Sequence, residues 1–432
     1  MLVDRRSLIG AAAGFAAGAA LRSTAAGQSA RSAAVVPASD FPTLAQRVGG
    51  RPLAYLDSAA TTLRPSAVID AIAHFYRFDN ANPSSTMHAL ARRAAERYAG
   101  ARTEVARFIN AAPDEIVWVR GTTEAINLAA ATWGATLRAG DEILVSIAEH
   151  YSNLLPWRAV AARTGAVVRT FDVDDEGRLR LDDLRRQLSA RTKLVAVTHV
   201  SNVLGVINPI GEVAAMAHKA GALVLVDGAQ SVPHMPIDVR ALGCDFFAFS
   251  SHKILGPMGV GVLWARRELL DELPPYQTGS NMAHNVEPQS EELEHGAAKF
   301  QAGTPNVSGP IGMAAAARYL TAIGSSAIEA HDRRLVTHAL ARMREVAGLR
   351  ILGPLSPEHR VPVLCFTIAN RSVPDIVAAL DREGIAIRGG DMAALPLLRR
   401  FGTGAAARIS AYLYNSTADL DRAVDVLKSW AG

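Results

Sequence analysis

From about residue 115 the chain alternates between short apolar runs and longer segments with apolar positions at helical spacing. The runs are EIVWV (115–119), EILVSI (142–147), AVVRTF (166–171), KLVAVTHV (193–200), ALVLVDG (222–228), DFFAFS (245–250) and GVGVLWA (259–265). Continuous apolar runs of this length read as strands buried on both faces. Helical periodicity occupies 87–108 and 122–138, and amphipathic stretches at 153–164, 181–190 and 211–220 separate several of the strands. Strands alternating with helices predict an α/β fold with a mainly parallel sheet. Residues 268–310 carry turn residues and charge and are expected to be loops. From about 311 a long helical stretch leads to VPVLCFTIA (361–369), a helix at 373–383 and a last helix at 417–430, which predicts a smaller α+β domain. The expected division is a segment at 1–30, an N-terminal arm at 31–65, a large domain at 66–310 and a small one at 311–432.

Residues 1–30 stand apart. Arg5-Arg6 precedes an apolar stretch from Leu8 to Leu21, and small residues offer cleavage after Ala26 or Ala30. This is the pattern of a twin-arginine export signal, which predicts a periplasmic protein. The alternative is a membrane anchor. The stretch is well short of the roughly 20 apolar residues a spanning helix needs, so no stable membrane insertion is expected.

Composition bounds the function. The 432 residues are 49% hydrophobic and 20% charged with a net charge of +4, which suits a folded protein and leaves no basic footprint for nucleic acid. Cys244 and Cys365 both lie in apolar runs and have no metal-ligand spacing, so inert buried thiols and no metal site are expected. The chain has only five lysines. Lys219 and Lys428 fall on amphipathic helices, Lys193 opens a strand, and Lys299 is expected in a polar loop.

Lys253 is different. It follows Ser250-Ser251-His252 at the end of DFFAFS, while the neighbouring run ALVLVDG ends at Asp227. In an open α/β sheet, ligands sit outside the carboxyl ends of strands. A lysine and an acid at that face are what pyridoxal phosphate chemistry needs: the amine condenses with the aldehyde, and the carboxylate keeps the pyridine nitrogen protonated. On its own, Lys253 could equally close a salt bridge at a strand end. Thr122 and Thr123 open a helix, where free N–H groups and the dipole favour a phosphate, although ordinary capping would use them as well.

The segments YLDSAATTLRP (55–65), VRGTTEAINL (119–128), AEHYSNLLPW (148–157), THVSNVLG (198–205), VDGAQ (226–230), FSSHKILGPMGVG (249–261) and AGTPN (302–306) occur in one order. Together they resemble the class V aminotransferase family, in particular its group II cysteine desulfurases and selenocysteine lyase-like proteins. The resemblance runs from about residue 52 to the C-terminus. It implies a seven-stranded sheet of the fold type I kind, pyridoxal 5'-phosphate as cofactor, a small amino-acid substrate, and a homodimer with shared active sites. It also implies roles. Lys253 is the cofactor lysine and His150 the histidine that stacks on the ring and relays protons. Asp227 and Gln230 serve the ring nitrogen and phenolic oxygen, and Asn202 lies near that oxygen and the substrate carboxylate. Ser250, His252, Thr122 and Thr123 are phosphate ligands, with Thr304 reaching the neighbouring subunit's phosphate. Arg408 clamps the α-carboxylate and Arg388 assists. His88 matches a histidine near the site.

One departure matters. Desulfurases place a nucleophilic cysteine in a stretch Arg-Thr-Gly-His-His-Cys-Ala-x-Pro. The aligned stretch is Arg388-Gly389-Gly390-Asp391-Met392-Ala393-Ala394-Leu395-Pro396, with Ala393 at the cysteine position. The expectation is therefore a carbon–sulfur lyase acting by β-elimination. An epimerase, an aminotransferase, a desulfurase with another sulfur acceptor and an idle scaffold are the competing readings. Selectivity is expected to depend on loops at about 274–300 and 389–403.

Overall fold

The computed structural model describes residues 34–431; the export signal expected at 1–30 lies outside the described residues. All seven apolar runs become strands of one sheet: β1 (Ile116–Val119), β2 (Glu142–Ser146), β3 (Val167–Phe171), β4 (Thr192–Thr198), β5 (Leu223–Asp227), β6 (Phe246–Ser250) and β7 (Gly261–Ala265). Their spatial order is β1-β7-β6-β5-β4-β2-β3. β2 to β6 pair in parallel, and β7 alone runs antiparallel, between β6 and β1. β1, β2, β5, β6 and β7 carry almost wholly buried side chains because helices cover both faces of the sheet.

Register sets the site. Asp227 pairs with Ala248, so β6 extends two residues beyond β5 and carries Ser250 past the carboxylate. Gly261 pairs with both Ser250 and Val119. A Cβ on Gly261 would stand 2.6 Å from Gly121 Cα and 2.7 Å from the Phe249 carbonyl. Only glycine permits this approach. The close contact lets the Ser250 hydroxyl reach the first turn of the helix Thr122–Thr132.

A second sheet, wholly antiparallel, runs in the order Leu349–Leu352, Val363–Ile368, Ala406–Ser410, Arg388–Gly390. Helices Ser325–Met343, Val373–Asp381 and Thr417–Ala431 supply its core through Leu335, Val336, Ile376, Leu380, Leu420 and Val424. The N-terminal segment joins it: Ala54–Tyr55 pairs in parallel with Ile385–Ala386, and Ser58 N–H donates to the Ser410 carbonyl.

Three expectations change. The stretch 268–310 is not all loop: it holds a helix at Arg267–Glu272 and a hairpin of Ala283–Glu287 and Ser290–Leu293. The hairpin is exposed on nearly every residue, so it leaves no apolar alternation to read. The helical stretch from 311 is two helices, Ser308–Ile323 and Ser325–Met343, broken where Gly324 takes a φ of 86°. Lys299 is buried in a short turn, where Nζ donates to the Asp271 carbonyl at 2.8 Å. Among the described residues no helix is long and apolar enough to cross a membrane.

Candidate active site

The carboxyl ends of β1, β2, β4, β5 and β6 and the edge of the second sheet enclose a cavity of about 430 Å³. Every residue picked out from sequence for catalysis, cofactor or substrate lines it except Thr304. Thr304 is exposed elsewhere on the chain, 3.4 Å from Asn82 Nδ2. His88 also lies apart, capping the helix Ala89–Phe108 with its imidazole.

Lys253 closes a short turn, Ser251–Lys253, immediately after β6. The turn is braced by the segment that precedes the first long helix: Thr62 N–H and Oγ1 donate to the His252 carbonyl, and Thr62 Oγ1 accepts from Leu255 N–H. Burial lowers the Lys253 amine to about 8; Asp227 opposes the shift, and Arg408 and Arg388 add to it. Asp227 is buried at the end of β5 and accepts from Ala229 N–H at 2.9 Å. Desolvation raises its pKa, against the pull of Lys253.

Across the cavity, Ser250 Oγ accepts from Thr122 N–H at 2.7 Å, and Thr123 Oγ1 pairs with Ser152 Oγ at 2.8 Å. First-turn N–H groups have no intrahelical acceptor, so this corner offers hydroxyls and backbone donors to an anion. His252 lines the same corner. His150 Nδ1 accepts from Ser152 N–H at 3.1 Å, which leaves the ring proton on Nε2. Burial and the nearby Lys253 push its pKa down to about 4, so the ring is neutral. Gln230 Nε2 donates to the Ala59 carbonyl at 2.6 Å, and Asn202 Nδ2 to the Met392 carbonyl at 2.8 Å.

Arg408 and Arg388 are direct cross-strand neighbours. Two cations so placed repel each other unless an anion joins them. Asp57 is that anion, missed in the sequence: it lies 3.1 Å from Arg408 Nη2 and 3.3 Å from Arg388 Nε. Arg408 is 2% exposed, also donates to the Asn202 carbonyl, and its buried Nε has no partner among the described residues. A buried guanidinium with a donor to spare is suited to a carboxylate. Cys244 and Cys365 are both buried away from the cavity, and burial pushes each thiol up to about 12.

This donor set matches pyridoxal 5'-phosphate group by group. The amine of Lys253 suits its aldehyde, the Asp227 carboxylate its ring nitrogen, and the Thr122–Thr123–Ser250 corner its phosphate. A doubly wound sheet carrying these groups at its carboxyl edge defines a pyridoxal phosphate-dependent enzyme of fold type I.

The chain belongs to the class-V aminotransferase family, whose model matches residues 54–423. A cysteine desulfurase of Synechococcus elongatus is 46% identical over 384 residues, 88% of this chain but 61% of that protein, so the chain spans under two thirds of that relative. A probable cysteine desulfurase of Halalkalibacterium halodurans is 45% identical over 88% of this chain and 94% of its own length. Among solved structures, the Escherichia coli cysteine desulfurase CsdA superposes with a TM-score of 0.83 at 38% identity, covering 90% of this chain and 96% of that one.

The amine should show itself before any turnover. Only a neutral amine attacks an aldehyde, so cofactor capture by the apoprotein is expected to rise with pH through a midpoint near 8 rather than near the 10.5 of a free lysine. Stopped-flow absorbance after mixing with pyridoxal 5'-phosphate reads this directly. A flat profile between pH 7 and 9 would contradict the lowered pKa.

Proposed function

We propose that the protein is a carbon–sulfur lyase that cleaves a sulfur-bearing amino acid by β-elimination. The carrying observation is the cavity wall formed by Asp391, Met392 and Ala393, which offers no thiol to take up sulfur while Lys253, Asp227 and Arg408 share the same cavity. The relatives are named cysteine desulfurases, which supports chemistry at a carbon–sulfur bond.

Bound pyridoxal 5'-phosphate supplies an electron-withdrawing ring, joined through the substrate amine, that acidifies the α-proton. The chain does the rest. Arg408 takes the α-carboxylate and fixes which face of Cα is presented. Lys253 Nζ, about half of it already neutral at pH 8, accepts the α-proton, and Asp227 holds the proton on the ring nitrogen. The Cβ–S bond breaks with its electron pair going to sulfur, and Lys253 Nζ returns its proton to the departing thiolate. Hydrolysis of the remaining unsaturated amine completes the reaction. Overall, L-cysteine and one water give pyruvate, ammonium and hydrogen sulfide.

The test is the organic product formed from L-cysteine by the cofactor-loaded protein. Pyruvate with stoichiometric sulfide and ammonium is expected. Alanine as the product would overturn the lyase reading in favour of desulfuration with another sulfur acceptor. A homodimer with shared sites is part of the proposal. It is supported by Thr304 lying outside its own chain's cavity and by the exposed Phe78, Met87 and Met258. A monomeric mass by light scattering would refute it.

A further inference from the structure

The segment Gly390–Ala394 is an ordered turn. Met392 and Ala393 both adopt left-handed backbone conformations, with φ of 52° and 53°, which non-glycine residues rarely do in succession. Five hydrogen bonds hold the turn. Ala394 N–H donates to the Asp391 carbonyl at 2.9 Å, Tyr151 N–H to the Ala393 carbonyl at 2.7 Å, and Asn202 Nδ2 to the Met392 carbonyl at 2.8 Å. Tyr151 Oη donates to Asp391 Oδ2 at 2.7 Å. Asp391 Oδ1 accepts from Ala393 N–H at 3.0 Å, so the carboxylate cannot swing out of the wall without breaking two bonds.

Charge around the cavity can be followed group by group. Lys253 faces Asp227, and Asp57 joins Arg388 and Arg408. One cationic charge of the arginine pair is left for the substrate's α-carboxylate, after which no cation remains for a second anion. Asp391 lines the cavity and forms no ion pair among the described residues: its donors are a phenol and an amide, which hold its carboxyl below the usual range with a smaller contribution from the nearby His150 ring. With the amine of a substrate committed to the cofactor and its carboxylate to Arg408, its β-substituent has the 389–393 wall to face.

We propose that Asp391 is a specificity-determining residue, whose fixed negative charge makes the cavity accept amino acids with a neutral or donor-bearing β-substituent and reject those with an anionic one. The substrate class, resting on the lyase reading above, is then the thiols and thioethers of cysteine rather than its sulfinate or sulfonate relatives. An uncompensated like charge is a recognised means of rejecting a ligand.

L-Asparagine and L-aspartate test this without any sulfur chemistry, being matched in size and differing in the charge on Cγ. Binding to the holoenzyme is read from the change in cofactor absorbance. Wild type is expected to bind asparagine at least about tenfold more tightly than aspartate. Asp391→Asn should narrow that ratio several-fold. Tyr151→Phe, which loosens the turn but keeps the charge, should leave it in place. Equal affinity for the two amino acids in wild type, an unchanged ratio in Asp391→Asn, or binding of neither amino acid would overturn the proposal. These outcomes are separate from the fate of the lyase reading, which stands or falls on the product from L-cysteine.

Discussion

Lys253→Ala is expected to lower turnover by about 10³-fold or more, since it removes both the amine that anchors the cofactor and the base for the α-proton. The absorbance of lysine-linked cofactor should vanish with it. Alanine also strips Asp227 of its nearby cation, so a loss of activity alone does not isolate the amine. Lys253→Arg separates the two effects. Arginine keeps a positive charge beside Asp227 but cannot give up its proton near neutral pH. If the neutral amine is what matters, the arginine variant should be nearly as inactive as the alanine one while unfolding closer to wild type. Substantial turnover in the arginine variant would remove Lys253 from the centre of the mechanism. The two readouts, kcat and the cofactor spectrum in the same samples, keep misfolding distinct from chemistry.

The large sheet was legible mainly because its inner strands are buried on both faces and so appear as unbroken apolar runs. LVLVD and FFAFS each end where their strand ends, which put Asp227 and Ser250 at the ligand edge before any coordinates. Other features had no local signal. Asp57, in YLDSAA, has no sequence neighbour that marks a role; that role appears only when the second sheet brings Arg388 and Arg408 beside it. The tandem left-handed residues Met392 and Ala393 go against local preference and depend on Tyr151 and Asn202, about 240 and 190 residues away in sequence. The hairpin at 283–293 is exposed on both faces, so its strands carry no hydrophobic period. Lys299 reads as part of a polar loop; the partner that holds its amine, the Asp271 carbonyl, lies on a separate helix and leaves no signal nearby in sequence.

The same arginine–aspartate arrangement makes Arg408 the second position where a single change should have a large effect. Arg408 is buried, paired with Asp57 and bonded to the Asn202 carbonyl, and this ties the second sheet to the cavity. Truncating one partner of a buried, hydrogen-bonded charge pair costs about 2–5 kcal/mol. Arg408→Ala is therefore expected to lower kcat/KM by roughly 30-fold to several thousand-fold, on the scale of 1.4 kcal/mol per decade. Part of that loss is structural, since Asp57 would keep only the half-exposed Arg388. A carboxylate clamp and a structural cation differ in how the loss divides. If Arg408 holds the α-carboxylate, the effect should fall mainly on KM for amino acids, while the lysine-bound cofactor spectrum of the resting enzyme stays near wild type. Arg408→Lys should recover only part of the loss, because an ammonium replaces the charge but not the planar fork. Paired removal of Asp57 and Arg408 completes the argument. If the pair were purely structural, Asp57→Asn with Arg408→Gln would relieve the unpaired charge and restore much of the activity. With the clamp in force, the double variant regains stability to denaturant but not its affinity for substrate.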